Sequence, residues 1–219
     1  MEFLSLNTQT AFAQAVESIH SDKRLIVCGS EEDKQYIDEA MELNDSSPDE
    51  IIASMQNVDV QAWLDARKQE LCEEDSAFLD EAIGEWPGEI LEKPGFSLAF
   101  DMLSGQAHQS LVGALIETDN AWKVPAFFGY GGWNDCPMPE VHCAIWKYWQ
   151  EKYGAHIVAV SNDIIEAHIE NPPTTQEEAM ALALEQYLYC ADIVDQGVET
   201  VANLAALLMN NHCWYFWWD

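Results

Sequence analysis

The stretch CWYFWWD, Cys213 to Asp219, decides how the fold is read. Alternation with a period of two puts Cys213, Tyr215 and Trp217 on one side and Trp214, Phe216 and Trp218 on the other. Both sides are apolar, and a strand satisfies that only when it is covered on both faces, so an interior strand is expected over 213–218. The burial of side chains this large would anchor the sheet around it. Asp219 then sets a carboxylate beside aromatic rings, where it can meet Lys or Arg or help to line a pocket.

Upstream of that strand, periodicity predicts helices over 199–210, 174–195 and 138–153. HIVAVS and IIEAHIE read as a hairpin around Asn162-Asp163, a dipeptide that tolerates the left-handed backbone of tight turns. FSLAFDM, SLVGALIET and WKVPAFFGY read as three neighbouring antiparallel strands separated by Ser-Gly and Asp-Asn turns. Residues 93–219 therefore form an α+β unit, an antiparallel or mixed sheet covered by helices. Residues 1–92 read as an acidic, mainly helical N-terminal region packed on it. That region holds a helix in NTQTAFAQAVESIH, one strand in RLIVCGS and a capping box at Ser47-Pro48-Glu50. A helical rhythm continues through Trp63, Leu64, Arg67 and Leu71, and EDSAFLDEAIG adds a turn or two that Trp86-Pro87-Gly88 breaks.

Composition bounds the function. The 219 residues, 48% of them hydrophobic, can bury a sizeable core. A formal net charge of −30, from 39 acidic against 9 basic residues, disfavours nucleic acid and anionic membranes and attracts a basic protein partner. The N-terminus has no basic segment ahead of an apolar core and no window resembles a membrane span, which points to a cytoplasmic protein. The six cysteines include no Cys-x-x-Cys pair and read as reduced, mostly buried thiols. His142-Cys143 and His212-Cys213 each offer at most one convenient ligand, because neighbouring side chains diverge, so no metal is expected. No cofactor is expected either.

GYGGWNDCPMPEVHC, Gly129 to Cys143, has a structural job: the glycines make a steep turn, Asn134 or Asp135 caps a helix, and Pro137 suits its first turn. Val141, Ile145, Tyr148 and Lys152 form one stripe of that helix and His142, Trp146, Trp149 and Tyr153 another, with Gly154 as its stop. Two apolar stripes mean two partners, the sheet and the N-terminal helices. Glycines before a helix N-terminus can also cradle an anion, but a carboxylate at Asp135 would occupy those amides. Cys136 as a nucleophile is disfavoured, since His142 projects about 240° away from it on an ideal helix.

On the 174–195 helix, Thr174 and Glu177 fit a capping box and Met180, Leu184, Tyr187, Leu188, Ala191 and Val194 form the core stripe. Glu185, Tyr189, Asp192 and Gln196 line a polar face beside it. Asp195 sits at the unfavourable end of the helix dipole.

VPAFFGYGGWNDCP, the W-x-x-x-YGA of Trp149 to Ala155, NPPTTQEEA, EQYLYCADIVDQG and WYFWWD, in that order, resemble the bacterial family catalogued as domain of unknown function 4253. The resemblance covers Trp122 to Asp219. It implies a shared C-terminal domain with no established activity and no catalytic residues to carry over.

Two functions fit. The first is a non-catalytic binding protein that sets an acidic face against a basic partner, in the manner of an inhibitor or immunity protein. The second is a small-molecule binder or hydrolytic enzyme with a carboxylate and aromatic pocket made by Trp133, Asn134, Asp135, Glu185, Tyr189, Asp192, Gln196, Trp218 and Asp219. There Glu185 or Asp192 would be the base and Asp135 the orienting group, because a carboxylate desolvated by rings gains a pKa suited to proton transfer.

Overall fold

A computed structural model describes residues 1–74, 78–87, 95–101 and 104–219. Six strands, β1 (Glu2–Leu6), β2 (Lys23–Val27), β3 (Leu111–Glu117), β4 (Ala155–Val160), β5 (Ile164–Ile169) and β6 (Cys213–Trp217), form one mixed sheet in the order β1-β3-β2-β4-β5-β6. Every neighbouring pair is antiparallel except β2 and β4, which are parallel and meet at Val27 and Ala159. The helices are α1 (Ala11–Glu17), α2 (Glu31–Leu43), α3 (Pro48–Met55), α4 (Val60–Glu74), α5 (Phe78–Ile83), α6 (Val124–Phe128), α7 (Pro139–Tyr153), α8 (Gln176–Tyr189) and α9 (Val201–Leu208). A π-helical segment, Ile193–Val198, lies between the last two. The fold is α+β, as expected.

One face of the sheet carries the larger core, in which Ile26, Val112, Ile157 and Phe216 meet Ile145, Trp146 and Trp149 of α7 and Tyr187 of α8. On the other face Leu25, Val27, Leu111 and Ile164 pack with Ala11 and Ala15 of α1 and with Leu98 and Ala99. The two stripes of α7 meet two partners: it touches β4 on one side and α3 and α4 on the other. Gly154 ends it in the left-handed conformation, φ 60°. The hairpin at Asn162-Asp163 forms, with Ser161 N–H donating to the Ile164 carbonyl at 2.9 Å.

Several expectations change. WKVPAFFGY is helical rather than a strand: a short 3-10 turn, Ala121–Lys123, runs into α6, with Pro125 inside the first turn where its missing N–H has no partner to lose. FSLAFDM makes no strand within its described residues; Phe100 forms one isolated bridge with Ala107, and Leu98 and Ala99 are buried by a loop. Met102 lies outside the described residues, as does the boundary at 92–93 between the two expected regions. Strand 213–218 exists but takes an edge of the sheet, not an interior position; Trp214 and Phe216 are buried beneath α7 and α8, while Tyr215 and Trp217 are only partly covered. β1 has no counterpart in the sequence reading, because EFLSL is too short and too mixed to carry a period. The capping box of α8 uses Thr175 and Glu178, one residue later than expected, and the helix ends at Tyr189, well before residue 195. Pro139 opens α7, capped by no side chain; Asn134 is a turn residue with φ 43°, and neither it nor Asp135 is the cap.

Candidate functional site

The Gly129–Cys143 loop folds over a buried histidine. His142, fully buried on α7, holds its Nδ1 at 2.5 Å from the Tyr189 hydroxyl, which also accepts the Trp146 indole N–H at 2.9 Å. An indole can only donate, so the Tyr189 proton goes to Nδ1 and the imidazole carries its own hydrogen on Nε2. That nitrogen lies 3.4 Å from Cys136 Sγ and is also within reach of the Pro137 carbonyl. A Cβ on Gly131, whose φ is 110°, would stand 2.0 Å from the Pro137 oxygen and 2.7 Å from His142 Nε2, so only glycine lets the loop close here.

Cys136 and His142 are therefore in contact, contrary to the helical-wheel expectation, because Cys136 lies in the loop ahead of α7 and not on its surface. Burial lowers the imidazole to about 3 and pushes the thiol up. A nucleophilic pair needs the reverse, a thiolate beside a basic or charged histidine. This contact is a neutral, satisfied core network.

The nine residues expected to share a pocket divide into groups. Asn134 Nδ2 donates to the main-chain oxygen of Asp219 at 2.6 Å, the Asp219 N–H donates to Asp192 at 3.0 Å, and Gln196 Nε2 donates to Asp192 at 2.8 Å. These four form one chain of hydrogen bonds. Trp218 stacks edge-on against Tyr189, whose ring belongs to the buried network, and Trp133 stands edge-on to Tyr130. Glu185 is engaged elsewhere, by the Tyr148 hydroxyl at 2.9 Å, the Trp149 indole at 3.0 Å and Lys152 at 3.1 Å. Asp135 pairs with Arg67 of α4 at 3.2 Å. The polar stripe is split because the chain leaves α8 after Tyr189 and turns through a π-helical segment. In that segment Asp195 accepts from the Tyr187 hydroxyl at 3.2 Å, a donor that answers its unfavourable helix position.

Asp192 and Gln196 also line a large cavity, about 880 Å³, at the end of the sheet where the parallel strands β2 and β4 terminate. Its described lining includes five carboxylates, Glu32, Asp33, Asp101, Asp163 and Asp192, with no Lys or Arg. Four aromatic side chains, Tyr36, Phe100, Tyr215 and Trp217, and aliphatic groups such as Ile164 and Leu207 complete it. Ligands of open α/β sheets favour the carboxyl ends of parallel strands, where helix N-termini often take anions. Here the start of α2 is already filled, since Asp33 accepts from both the N–H and the hydroxyl of Ser30 at 2.6 Å. The described lining is acidic, and Asp33, Asp101, Asp163 and Asp192 each accept hydrogen bonds from within the protein.

Two carboxylates were not singled out by the sequence and shape this cavity. Asp163 accepts from the Trp217 indole at 3.1 Å and from the Ser161 hydroxyl at 3.0 Å, and burial holds its pKa above the ordinary range. Glu166, 0% exposed, lies opposite Tyr215 on β6 and accepts from the Ser97 hydroxyl at 2.7 Å and from the N–H groups of Ser97 and Leu98. Burial raises its carboxyl despite those donors. It ties the cavity wall at residues 97–98 to the sheet. The one available signal, a Glu among the apolar residues of IIEAHI, gave no direction without its loop partner.

A second cavity of about 350 Å³ lies further along α2, beside its C-terminal half, among Ile37, Leu43, Phe128, Tyr130, Trp133 and Met138. Among the described residues no group of His, Cys, Asp and Glu is placed to hold a metal, and no helix is long and apolar enough to cross a membrane.

No curated protein and no solved structure matches the chain. Residues 113–219, which include most of β3, all of β4 to β6, the whole Gly129–Cys143 loop, α8 and the π-helical segment, match the family model described as Domain of unknown function (DUF4253).

Proposed function

We propose that the protein is a non-catalytic binding protein that receives a positively charged group in the cavity between α2, the β4–β5 turn and the π-helical segment. The observation that carries this reading is the lining itself, five carboxylates and four aromatic side chains with His108 and no described Lys or Arg among them. Carboxylates supply charge-assisted hydrogen bonds to an ammonium or guanidinium, and aromatic faces add cation–π attraction. The net charge of −30 raises the local concentration of such a ligand before contact.

Isothermal titration calorimetry with the methyl esters of arginine and lysine and with spermidine, set against glutamate and inorganic phosphate, tests it. The cations should bind with dissociation constants in about the micromolar to low millimolar range and weaken with salt. Glu32→Gln combined with Asp163→Asn should cost about tenfold or more, the scale of charge-assisted hydrogen bonds. Equal binding of the anions, or no binding of any cation, refutes the reading.

One observation favours hydrolytic chemistry instead: burial shifts the Asp163 carboxyl upward, the direction that suits proton transfer, in a cavity that also holds Asp192. That reading requires Asp163→Asn to abolish turnover of some bound amine or ester while the ligand still binds.

A further inference from the structure

We infer that α2 and the two cavities that follow one another along it form one docking surface for a segment of a basic protein partner that carries a large apolar side chain among its Lys and Arg residues. This rests on the cation-binding reading of the first cavity and adds a second contact to it. The large hydrophobic side chains exposed among the described residues are Met1, Tyr36, Leu43, Phe100 and Met138. Four of these five line the two cavities, Tyr36 and Phe100 the first, Leu43 and Met138 the second. Apolar side chains scattered over a surface need no explanation, but their concentration around concavities marks a contact site. Asn162 lines both cavities, so the two adjoin.

Charge identifies the occupant. The exposed face of α2 carries Glu31, Glu32, Asp38, Glu39 and Glu42, and its one cation, Lys34, is paired with Asp38. The second cavity has no charged residue in its described lining, and its 350 Å³ is at the small end for a binding pocket, room for one side chain. The 13 residues of α2 run about 20 Å, which about six residues of extended chain would span. A polyamine lacks the apolar group for the second cavity, and an anionic membrane or nucleic acid would be repelled. A basic peptide segment with one apolar anchor satisfies both cavities, the anchor in the second and a cationic side chain in the first.

Random peptides of about twelve residues, long enough to cover α2, are displayed on phage and selected against the whole chain, and the enriched sequences are measured by fluorescence anisotropy. Enriched sequences should be net positive and contain a large apolar residue. Their affinity should fall about tenfold or more in the Leu43→Glu, Met138→Glu double variant, as for a lost anchor residue. It should fall similarly between about 50 mM and about 0.5 M salt, where screening shortens the reach of charges. Leu43 is 84% and Met138 53% exposed, so the double variant should keep its melting temperature and its amine binding in the first cavity. No enrichment, enrichment of uncharged or acidic peptides, or affinity indifferent to the two substitutions overturns the docking surface. If amines still bind in that event, the reading of the first cavity stands; if they do not, both fall.

Discussion

Between pH 6.5 and pH 3 the protein should lose about 4 kcal/mol of folding stability through His142 alone. The imidazole is neutral in the fold because burial lowers it to about 3, whereas in the unfolded chain it takes up a proton near 6.5. A folded pKa below the unfolded one means that the stabilisation is present above pH 6.5 and is lost as pH falls, at about 1.4 kcal/mol per unit, so about 2 kcal/mol is gone by about pH 5. His156 and His168 are lowered by burial as well and act in the same direction. They persist in a His142→Gln variant and cancel in the difference. Urea denaturation of both proteins from about pH 7.5 to about pH 4.5 should show the gap between them closing as pH falls. A gap that does not change with pH would contradict the neutral network. The ring protons of His142 give a direct check by NMR: they should not titrate above pH 4, within about a unit of the lowered value.

Glu166→Ala should cost about 3 kcal/mol or more, because it leaves two backbone N–H groups and a hydroxyl without an acceptor in a dry interior. The same substitution frees the wall at residues 97–98, so cation binding in the large cavity should fall by more than the stability loss alone would produce at a temperature where the variant is folded. Glu166→Gln keeps one acceptor oxygen but turns an amide donor towards another donor, and should cost about half as much. The pH dependence has the opposite sign to that of His142. Burial raises the folded carboxyl, so the contribution of Glu166 is greatest below the unfolded value near 4.3 and declines as pH rises through the folded one. Denaturation midpoints of wild type and Glu166→Gln should accordingly draw together from acid to neutral pH. Intact cation binding in Glu166→Ala would show that the 97–98 wall takes no part in the site.

The C-terminal half was legible wherever side-chain periodicity and local punctuation agreed. β4 and β5 with their Asn162-Asp163 turn, the two stripes of α7 and its stop at Gly154 all follow from residues close in sequence. WKVPAFFGY misled because a run of aromatic and aliphatic residues is apolar in a buried helix as well as in a strand, and only Pro125 and the turn at Gly129 distinguish them. β6 alternates as an interior strand would, yet it lies at an edge, since α7 and α8 cover one face and the partly open cavity takes the other. The site was legible in kind, carboxylates among aromatic rings, but only in part by position. Asp192 and Gln196 line the cavity, whereas Glu185 and Asp135 are taken up by Lys152 and Arg67. Asp33, Asp163 and Tyr36 join them only because β2 and β4 lie side by side, a pairing between distant segments that no local pattern encodes.

The position of β2 in the sheet fixes an order of events during synthesis. Both of its neighbours, β3 and β4, are made later, after α2, α3, α4 and α5 have emerged, and Lys23 must find Glu117 across all of them. Contacts so far apart in sequence form slowly, because the intervening chain has to be closed into a loop before any pairing rewards it. Until then KRLIV is a short strand with three aliphatic residues, Leu25 to Val27, and two unsatisfied edges, the kind of template on which nascent chains aggregate. What the ribosome adds in the interval is a succession of helices whose acidic side chains repel their counterparts on other nascent chains, so the charge of these segments keeps the unfinished chain solitary.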